Sequence, residues 1–431
     1  MDKTIKKRIE TIRQGQVPEG YKYSKLGIIP KDWSVSKLNT ILSVQKERNR
    51  QMDFNKNNVL SVSGEFGVTN QIELLGRSYA GVSVVDYHIV EHGNLVYTKS
   101  PLKTNPYGII KQNKGKAGIV STLYAVYHCR DYATGTYLDY YFFNDIYVNN
   151  YLRPLVHKGT KNDMKVNNED VLLGGIILPP IHEIENITKI LSCCDQVIKL
   201  KKDLLSEKKK RKKSLMQKLL DPTSGFRLPG FSGKWKCFRI EDVADLLTGY
   251  PFCSNNFLSN GIKLLRCSNV KRGVVDWKPE ITEYWNSAKT IEEYLLKSND
   301  IVIAMDGALI GYSFAQIREG DLPLLLVQRV ARLRATMIHH GLLKYLIMNP
   351  AFGAYIDAVK TTTAIPHMSP KDILDYKICV PESTTEQQAI ADILSAADRE
   401  IDLLEKELSL WEQKKKSLMQ LLLTGIVRVN R

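Results

Sequence analysis

The segment Lys212-Lys213-Ser214-Leu215-Met216-Gln217 recurs letter for letter at Lys415-Lys416-Ser417-Leu418-Met419-Gln420, 203 residues further along a chain of 431. A match of six residues arises by chance on the order of once in a thousand chains of this length, so it indicates an internal duplication. The same offset aligns Ile187 with Ile390, Leu191 with Leu394 and Asp195 with Asp398. The chain therefore consists of two copies of one unit, and this repetition decides its architecture.

Landmarks upstream of the repeated segment occur in the same order in both copies. Trp33 corresponds to Trp235, and the polar turn and apolar run at 93–97 correspond to those at 299–303. Each copy contains short β-branched and aromatic runs separated by Gly, Asn and Asp turns, which is typical of strands, and then a long stretch of helical periodicity. We therefore expect an α+β fold with two pseudo-repeated domains of mainly short β-strands, each followed by a long helix.

The repeat also predicts where each domain begins and ends. The expected segments are an N-terminal stub at 1–20, a first domain at 21–180, a first long helix at 181–221, a second domain at 222–381, a second long helix at 382–425 and a C-terminal tail at 426–431. The stub resembles the end of one repeat leading into the next. We expect it to be partly helical and to pack near the end of the last helix.

Apolar residues with alternating spacings of four and three indicate a coiled-coil seam in both helices. The residues expected to pair the helices are Ile187, Leu191, Ile198 and Leu205 in the first helix and Ile390, Leu394, Ile401, Leu404 and Leu408 in the second. Lys201, Lys208 and Lys212 interrupt the first seam. Net charge is +6 over 195–213 and −1 over 398–416, so we expect the helices to form an antiparallel coiled coil with each other. The alternative is a helical hairpin inside one compact domain.

The overall charge predicts a polyanionic partner. The formal net charge is +15 and the isoelectric point is about 9.2, values that favour nucleic acid or an anionic surface, although a merely soluble basic protein is the alternative. The N-terminus has no apolar signal region and no apolar run approaches a membrane span, so we expect a cytoplasmic protein without a membrane partner. The seven cysteines show no CxxC pairing, and we expect reduced thiols.

Motifs for catalysis are missing from the sequence. A DNA methyltransferase needs a glycine-rich cofactor turn and a loop with two prolines before an aromatic residue, whereas Asn105-Pro106-Tyr107 has one proline. The glycine loop at 113–118 has no Ser or Thr after its lysine to place Mg²⁺. His88 and His92 flank a strand-like pair and are expected to be structural. We therefore predict no catalytic residue, no metal site and no cofactor in this chain.

Basic, polar and aromatic residues cluster in loops at matching positions of the two copies, as expected of a surface that contacts phosphates and base edges. In the first copy the candidates are Lys99, Ser100, Lys103, Asn105, Tyr107, Lys111, Lys114, Lys116, Lys158, Thr160, Lys161 and Asn162. In the second copy they are Arg266, Ser268, Asn269, Lys271, Arg272, Asp306, Lys360, Thr361, Thr362, Thr363 and His367. For any one of these positions, a solvated surface residue is the alternative.

Several segments in their duplicated order resemble the specificity subunits of type I restriction-modification enzymes. They are GIIPKDW at 27–33, RLPGFSGKW at 227–235, DIVIAMDG at 300–307, QRVA at 328–331 and EQQ at 386–388, and together the resemblance covers nearly the whole chain. One departure is Glu183-Ile184-Glu185, which stands where the second copy has the EQQ segment. It puts the equivalence of the two helix starts in question.

The resemblance implies two target recognition domains, each of which reads one half of a split double-stranded DNA site, with the paired helices as a spacer. It also implies two modification subunits that bind S-adenosylmethionine and methylate adenine, and restriction subunits that are motor nucleases using ATP and Mg²⁺. All catalysis would then belong to these partners. The other possibilities are a coiled-coil structural or RNA-binding protein, and a DNA-modifying enzyme whose motifs are unrecognised.

Overall fold

The computed structural model describes residues 2–158, 164–361 and 366–429. The chain divides into two compact units: unit 1 contains Met1–Leu200 with Leu408–Arg431, and unit 2 contains Lys201–Glu407. The two long helices span Ile181–Leu219 and Thr384–Leu423. Each unit therefore contains a globular domain together with part of both long helices.

Unit 1 is built around an antiparallel four-stranded sheet. Its helices are α1 Lys3–Arg13, α2 Gln71–Leu75, α3 Tyr132–Tyr141, α4 Asp145–Leu152, the first part of α5 Ile181–Leu219 and the last part of the second long helix, Thr384–Leu423. Its strands are β1 Tyr21–Ser24, β2 Gly27–Pro30, β3 Ser34–Lys37, β4 Leu42–Val44, β5 Leu60–Ser63, β6 Gly67–Asn70, β7 His88–Val90, β8 Leu95–Thr98, β9 Ile110–Gln112, β10 Gly118–Val120, β11 Tyr124–Cys129, β12 His157–Lys158, β13 Met164–Lys165 and β14 Gly175–Leu178. The central sheet has the order β4-β11-β8-β9, and β3 pairs separately with β14.

Unit 2 repeats this arrangement. Its helices are the second part of α5, α6 Ile240–Val243, α7 His340–Met348, α8 Pro350–Val359, α9 Pro370–Leu374 and the first part of α10 Thr384–Leu423. Its strands are β15 Trp235–Arg239, β16 Ala244–Thr248, β17 Ile262–Leu265, β18 Glu283–Trp285, β19 Ile301–Ala304, β20 Phe314–Gln316, β21 Leu324–Leu326, β22 Val330–Ala335 and β23 Lys377–Pro381. The main sheet has the order β16-β22-β19-β20, and β15 pairs separately with β23.

The two four-stranded sheets correspond strand for strand. The predicted match of 93–97 with 299–303 is confirmed, because β8 and β19 occupy the same position in their sheets. The turns before these strands are also held alike. Asn94 Oδ1 accepts a hydrogen bond of 2.8 Å from the Glu91 amide, and Asp300 Oδ2 accepts one of 2.7 Å from the Lys297 amide. The predicted mixed fold with an internal repeat is therefore confirmed.

The ends of the long helices belong to the domain cores. Ile187 and Leu191 of α5 are fully buried with Met419 and Leu422 of α10 in the unit 1 core, which also contains Trp33. In unit 2, Ile390 and Leu394 are buried with Leu219 in the same way. Ile198 and Ile401 are also buried, whereas Leu205, Leu404 and Leu408 are half-buried. The predicted apolar residues of the seam are thus buried or half-buried, and the domains cover the two ends of the seam.

Within unit 2 the two helices pair in an antiparallel sense. The ion pairs join Lys201 to Glu407 at 2.7 Å, Lys208 to Glu400 at 2.5 Å and Lys209 to Glu405 at 2.6 Å, and Lys212 also pairs with Asp398. Lys201, Lys208 and Lys212, the lysines that interrupt the apolar seam of α5, thus each meet a carboxylate on α10. The pairing that opposite net charges predicted is confirmed, and the interruptions are part of it.

The cysteine prediction is wrong at one pair. Cys237 and Cys379 are direct partners across the β15–β23 ladder and form a disulfide, because strand pairing brings residues 142 positions apart to a Cα–Cα distance of 4.0 Å. Cys129, Cys193, Cys194, Cys253 and Cys267 are free. Separately, none of the described helices is long and apolar enough to span a membrane.

Candidate nucleic-acid interface

Two loops of unit 2 meet beyond the end of β19. Gly307 donates its amide to the Pro366 carbonyl at 3.1 Å, and Met368 donates to the Met305 carbonyl at 3.0 Å. This short ladder brings Asp306 Oδ1 to 2.5 Å from His367 Nδ1. The two candidates, 61 positions apart in sequence, therefore form one acid–imidazole pair at the surface, and each side chain remains about 30% exposed.

Arg329 joins this pair although sequence reasoning did not select it as a site residue. Its Nε lies 3.5 Å from Asp306 Oδ2, and its side chain is 55% exposed. Its backbone has φ +73°, a conformation uncommon for non-glycine residues and often found at functional sites. The Cys267 thiol and the Met305 amide both donate to its carbonyl, at 2.7 and 2.9 Å. The available signal was Gln328-Arg329, a polar pair between the apolar runs that form β21 and β22.

The loop after β17 contributes fewer candidates than predicted. Asn269 is fully buried, because its side chain holds the loop together: Oδ1 accepts from the Arg266 amide at 3.0 Å and Nδ2 donates to the Asp276 carbonyl at 3.0 Å. The Arg266 guanidinium donates to the Ile281 carbonyl at 2.8 Å. Ser268 Oγ is buried and has no hydrogen-bond partner among the residues described. The exposed candidates of this loop are Lys271 and Arg272.

Two candidates of unit 1 are buried in the domain and are corrected. Asn105 is 4% exposed and donates from Nδ2 to Asp145 Oδ1 at 3.0 Å, which joins the loop to α4. Lys111, the middle residue of β9, is 5% exposed, and its ammonium lies 4.5 Å from the Phe143 ring centre. Burial lowers the pKa of Lys111. The side chains of Asn105 and Lys111 are therefore not accessible for contact with a base edge.

The remaining candidates of unit 1 are placed at or near the surface. Ser100, Lys103 and Lys116 are exposed, whereas Lys99 and Tyr107 are half-buried, and burial lowers the pKa of Lys99. Lys114 is exposed but forms an ion pair of 2.6 Å with Asp139. In unit 2, Thr361 is exposed and Lys360 forms an ion pair of 2.5 Å with Asp357. The candidates Thr160, Lys161, Asn162, Thr362 and Thr363 lie outside the described residues, as does the side chain of Lys158.

Equivalent positions in the two sheets carry different chemistry. Ser100 stands two residues beyond β8, and Asp306 stands two residues beyond β19. Leu123 immediately precedes β11, as Arg329 immediately precedes β22, and the Leu123 side chain is 57% exposed. The same scaffold therefore presents a hydroxyl and an apolar group in unit 1 and a carboxylate and a guanidinium in unit 2.

Metal binding has no support in the part of the chain that the structure describes. No group of three or more His, Cys, Asp or Glu side chains there is arranged to hold a metal ion. His88 is buried, and burial lowers its pKa. His92 stacks on Tyr132 at 5.1 Å between ring centres.

Comparison with known proteins gives one consistent answer. Residues 232–412 match the family described as the type I restriction modification DNA specificity domain. The type I restriction enzyme MjaVIII specificity subunit of Methanocaldococcus jannaschii is 32% identical over 272 residues, which are 59% of this chain and 62% of that protein. The EcoAI specificity subunit of Escherichia coli is 33% identical over 177 residues, 40% of this chain and 29% of that protein. The chain thus spans less than two thirds of the length of these relatives.

Solved structures support the same fold at low sequence identity. The S subunit of a type I restriction-modification system from M. genitalium superposes with a TM-score of 0.58 at 14% identity, over 90% of this chain and 96% of that one. A chain from a study of complex assembly and conformational transition of the type I R-M system gives a TM-score of 0.52 at 15% identity, over 94% of this chain and 100% of that one.

Proposed function

We propose that this chain is a specificity subunit of a type I restriction-modification system and that it reads an asymmetric, two-part DNA site on behalf of catalytic partner subunits. The observation that carries the proposal is the different chemistry at equivalent sheet positions. Ser100 and Leu123 in unit 1 correspond to Asp306 and Arg329 in unit 2. Two copies of one scaffold with unlike contact groups would select two unlike half-sites.

The contact groups of unit 2 suit direct reading of bases in the major groove. A guanidinium such as that of Arg329 can donate two hydrogen bonds to guanine, and a carboxylate such as that of Asp306 can accept one from the cytosine amino group. Asp306, which is itself paired with His367, would also hold the Arg329 guanidinium at a set position before DNA binds. In unit 1, the Ser100 hydroxyl can donate or accept, and an apolar side chain such as Leu123 can contact the thymine methyl group.

The exposed lysines would supply binding without sequence preference. Contacts from Lys103, Lys116 and Lys271 to phosphates would capture DNA electrostatically and make affinity depend on salt. Linking two modest binding surfaces in one chain raises the effective concentration of the second after the first has bound. The net charge of +15 supports this mode of capture.

The chemistry would belong to partner subunits. In this proposal, two modification subunits bind S-adenosylmethionine and methylate adenine in each half-site, and restriction subunits use ATP and Mg²⁺ to move along and cut DNA. The role of this chain is to bind and orient the DNA for them, without a cofactor of its own. Support comes from the structural relative, which is described in terms of complex assembly in a type I system.

The decisive experiment is to co-express this chain with the modification subunit encoded beside it and to map methylated adenines in host DNA by single-molecule sequencing. We expect a two-part motif with a fixed unspecified gap, which disappears when this chain is omitted. A contiguous motif, or methylation indifferent to this chain, would contradict the proposal. If the purified chain bound RNA and showed no preference among duplex DNA sequences, that result would favour an RNA-binding protein.

A further inference from the structure

The two units share a three-residue cluster where the domain meets the long helices. In unit 1, Asp195 of α5 accepts a hydrogen bond of 2.6 Å from the Tyr140 hydroxyl and pairs with Lys415 of α10 at 2.5 Å. In unit 2, Asp398 of α10 accepts one of 2.7 Å from the Tyr345 hydroxyl and pairs with Lys212 of α5. Because both units contain it, this lysine–aspartate–tyrosine cluster is explained by the fold.

A cavity lies beside the cluster in each unit, but the charges around the two cavities differ. The unit 1 cavity of about 190 Å³ is lined by three lysines and three carboxylates, which are Lys111, Lys114, Lys415, Glu65, Asp139 and Asp195. The unit 2 cavity of about 250 Å³ is lined by five cations, Lys209, Lys212, Arg272, Arg318 and Lys344, and by two carboxylates, Asp398 and Asp402. The formal charge of the lining is therefore zero in unit 1 and +3 in unit 2. We call the unit 2 cavity the junction groove.

The cations of the junction groove are only partly neutralised inside the protein. Lys344 shares Asp398 with Lys212, at a distance of 3.2 Å. Arg318 lies 3.5 Å from Asp402, and its side chain remains 71% exposed. Arg272 lies over the Tyr312 ring at 5.7 Å and has no carboxylate within ion-pair distance in the described ranges. Lys209 is paired with Glu405 at 2.6 Å, so the five cations face three carboxylates and a net charge of +2 remains. Of these cations, the guanidinium groups of Arg272 and Arg318 are exposed to solvent, whereas Lys344 is half-buried.

We propose that the junction groove binds phosphates of the DNA backbone, independently of base sequence. This inference rests on the proposed function and deepens it. Arg272 lines the groove and also belongs to the loop after β17, which is part of the candidate nucleic-acid interface of unit 2. Guanidinium groups bind phosphate through two parallel hydrogen bonds, which favours a phosphate ligand over a diffuse acidic surface. The neutral cavity of unit 1 would make no such contact. Backbone capture is therefore stronger on the unit 2 half-site.

The test uses the full-length chain co-expressed with its modification subunit. The groove variant carries Arg272→Gln, Arg318→Gln and Lys344→Gln, and the matched control carries Lys289→Gln, Lys371→Gln and Lys377→Gln, three exposed lysines of the same unit outside the groove. Affinity is measured over a series of salt concentrations, for DNA that contains the methylated motif and for DNA in which it is scrambled. Thermal unfolding of both variants verifies that the chain is folded.

We expect the slope of log affinity against log salt to fall by about 1 for each side chain that contacts a phosphate, equally for both DNAs. The affinity ratio between the two DNAs should stay unchanged. The inference is overturned if the groove variant has the same salt slope as the control variant. It is also overturned if the groove variant loses its sequence preference, or no longer binds the modification subunit, while its salt slope is unchanged. If wild-type protein shows no preference for the motif, the proposed function fails, whereas the slope on scrambled DNA still decides the groove.

Discussion

The indole Nε1 of Trp33 donates a hydrogen bond of 2.7 Å to Oε2 of Glu183, at the start of α5. Glu183 is completely buried, and Arg428 of the C-terminal tail donates to the same carboxylate from Nε and Nη2, each at 2.9 Å. The guanidinium also lies 5.9 Å from the Trp33 ring centre. The tail therefore closes the unit 1 domain against the first turn of its helix.

A corresponding cluster closes unit 2. Arg227, in the segment after α5, donates to the buried Glu386 at 2.5 Å and lies 6.0 Å from the ring centre of Trp235. The starts of the two long helices differ in sequence at 183–185 and 386–388, but both contain the buried glutamate, Glu183 or Glu386, that pairs with the arginine. Unit 1 replaces Gln387 with Ile184, which is buried in the domain core.

Removal of the arginine from this cluster should destabilise unit 1. Because Arg428→Ala leaves the Glu183 carboxylate buried without its cation, we expect a loss of about 3–5 kcal/mol in the free energy of unfolding. Arg428→Lys should lose less, since a charge remains. The measurement is denaturant unfolding monitored by circular dichroism, with Arg13→Ala, an exposed arginine on α1, as control. Equal stability of the Arg428→Ala and control variants would show that the cluster contributes nothing.

The charge pairs between the helices should be energetically coupled. For Lys208 and Glu400, at 2.5 Å, a double-mutant cycle with alanine is expected to give a coupling free energy of about 0.5–1 kcal/mol, the upper range for partly exposed pairs. Exchange of the two residues should restore most of the stability lost by either reversal alone. The exposed pair Glu207 and Lys210 within α5 serves as comparison and should couple less. A coupling free energy of zero would show that this ion pair contributes nothing to the pairing of the helices.

Acid should weaken unit 2 through Asp398. Burial by itself raises the pKa of this carboxyl, but hydrogen bonds from Lys212 and Tyr345 and the charges of Lys212 and Lys344 lower it below its ordinary value of 3.8. The folded state therefore binds this proton less readily than the unfolded state, so stability is present above pH 3.8 and declines as pH falls through the lowered pKa.

The variant Asp398→Asn should consequently lose less stability than wild type on acidification from pH 7 to below pH 4, although it starts from a lower value. Unfolding free energies across this range measure the difference. Asp203→Asn, which changes an exposed carboxylate of α5, is the control and should follow the wild-type curve. Parallel curves for wild type and Asp398→Asn would remove Asp398 from the account of acid sensitivity.

Substitution of Arg329 should alter specificity in one half-site only. If its guanidinium reads a guanine, Arg329→Ala should cost about 1–3 kcal/mol of binding and relax the preference at that base. Arg329→Lys should retain part of the affinity but less of the preference, because an ammonium lacks the planar pair of donors. Binding to a panel of single-base variants of the motif is the measurement. Lys103→Gln in unit 1 is the control and should lower affinity uniformly; the same pattern for Arg329→Ala would assign Arg329 to phosphate.

The architecture was predictable because it follows from an internal repeat and from patterns of residues close together in the sequence. Six identical residues and a constant offset identified two copies, and the spacing of apolar residues identified α5 and α10, whose observed bounds differ from the predicted ones by two residues or fewer. Opposite net charge predicted the helix pairing that the ion pairs between α5 and α10 confirm. These patterns can be detected in the sequence because helical periodicity and local net charge depend on residues a few positions apart.

Exposure of individual polar side chains was not predictable in the same way. Asn105, Lys111 and Asn269 are buried. The polar segments around them look like those around Ser100 and Lys271, which are exposed. Whether a polar group faces water depends on partners supplied by distant segments, such as Asp145 for Asn105 and Asp276 for Asn269. No short-range pattern records that choice.

The duplication, the alternation of domain and helix, and the family resemblance could all be inferred without a structure, because each follows from order and spacing along the chain. Which groups meet became known from the folded chain alone: Glu183 with Arg428 across 245 positions, Asp306 with His367 and Arg329, and the five cations of the junction groove. The physical reason is that ion pairs and burial depend on distance in space, and folding makes that distance short for residues that the sequence keeps far apart.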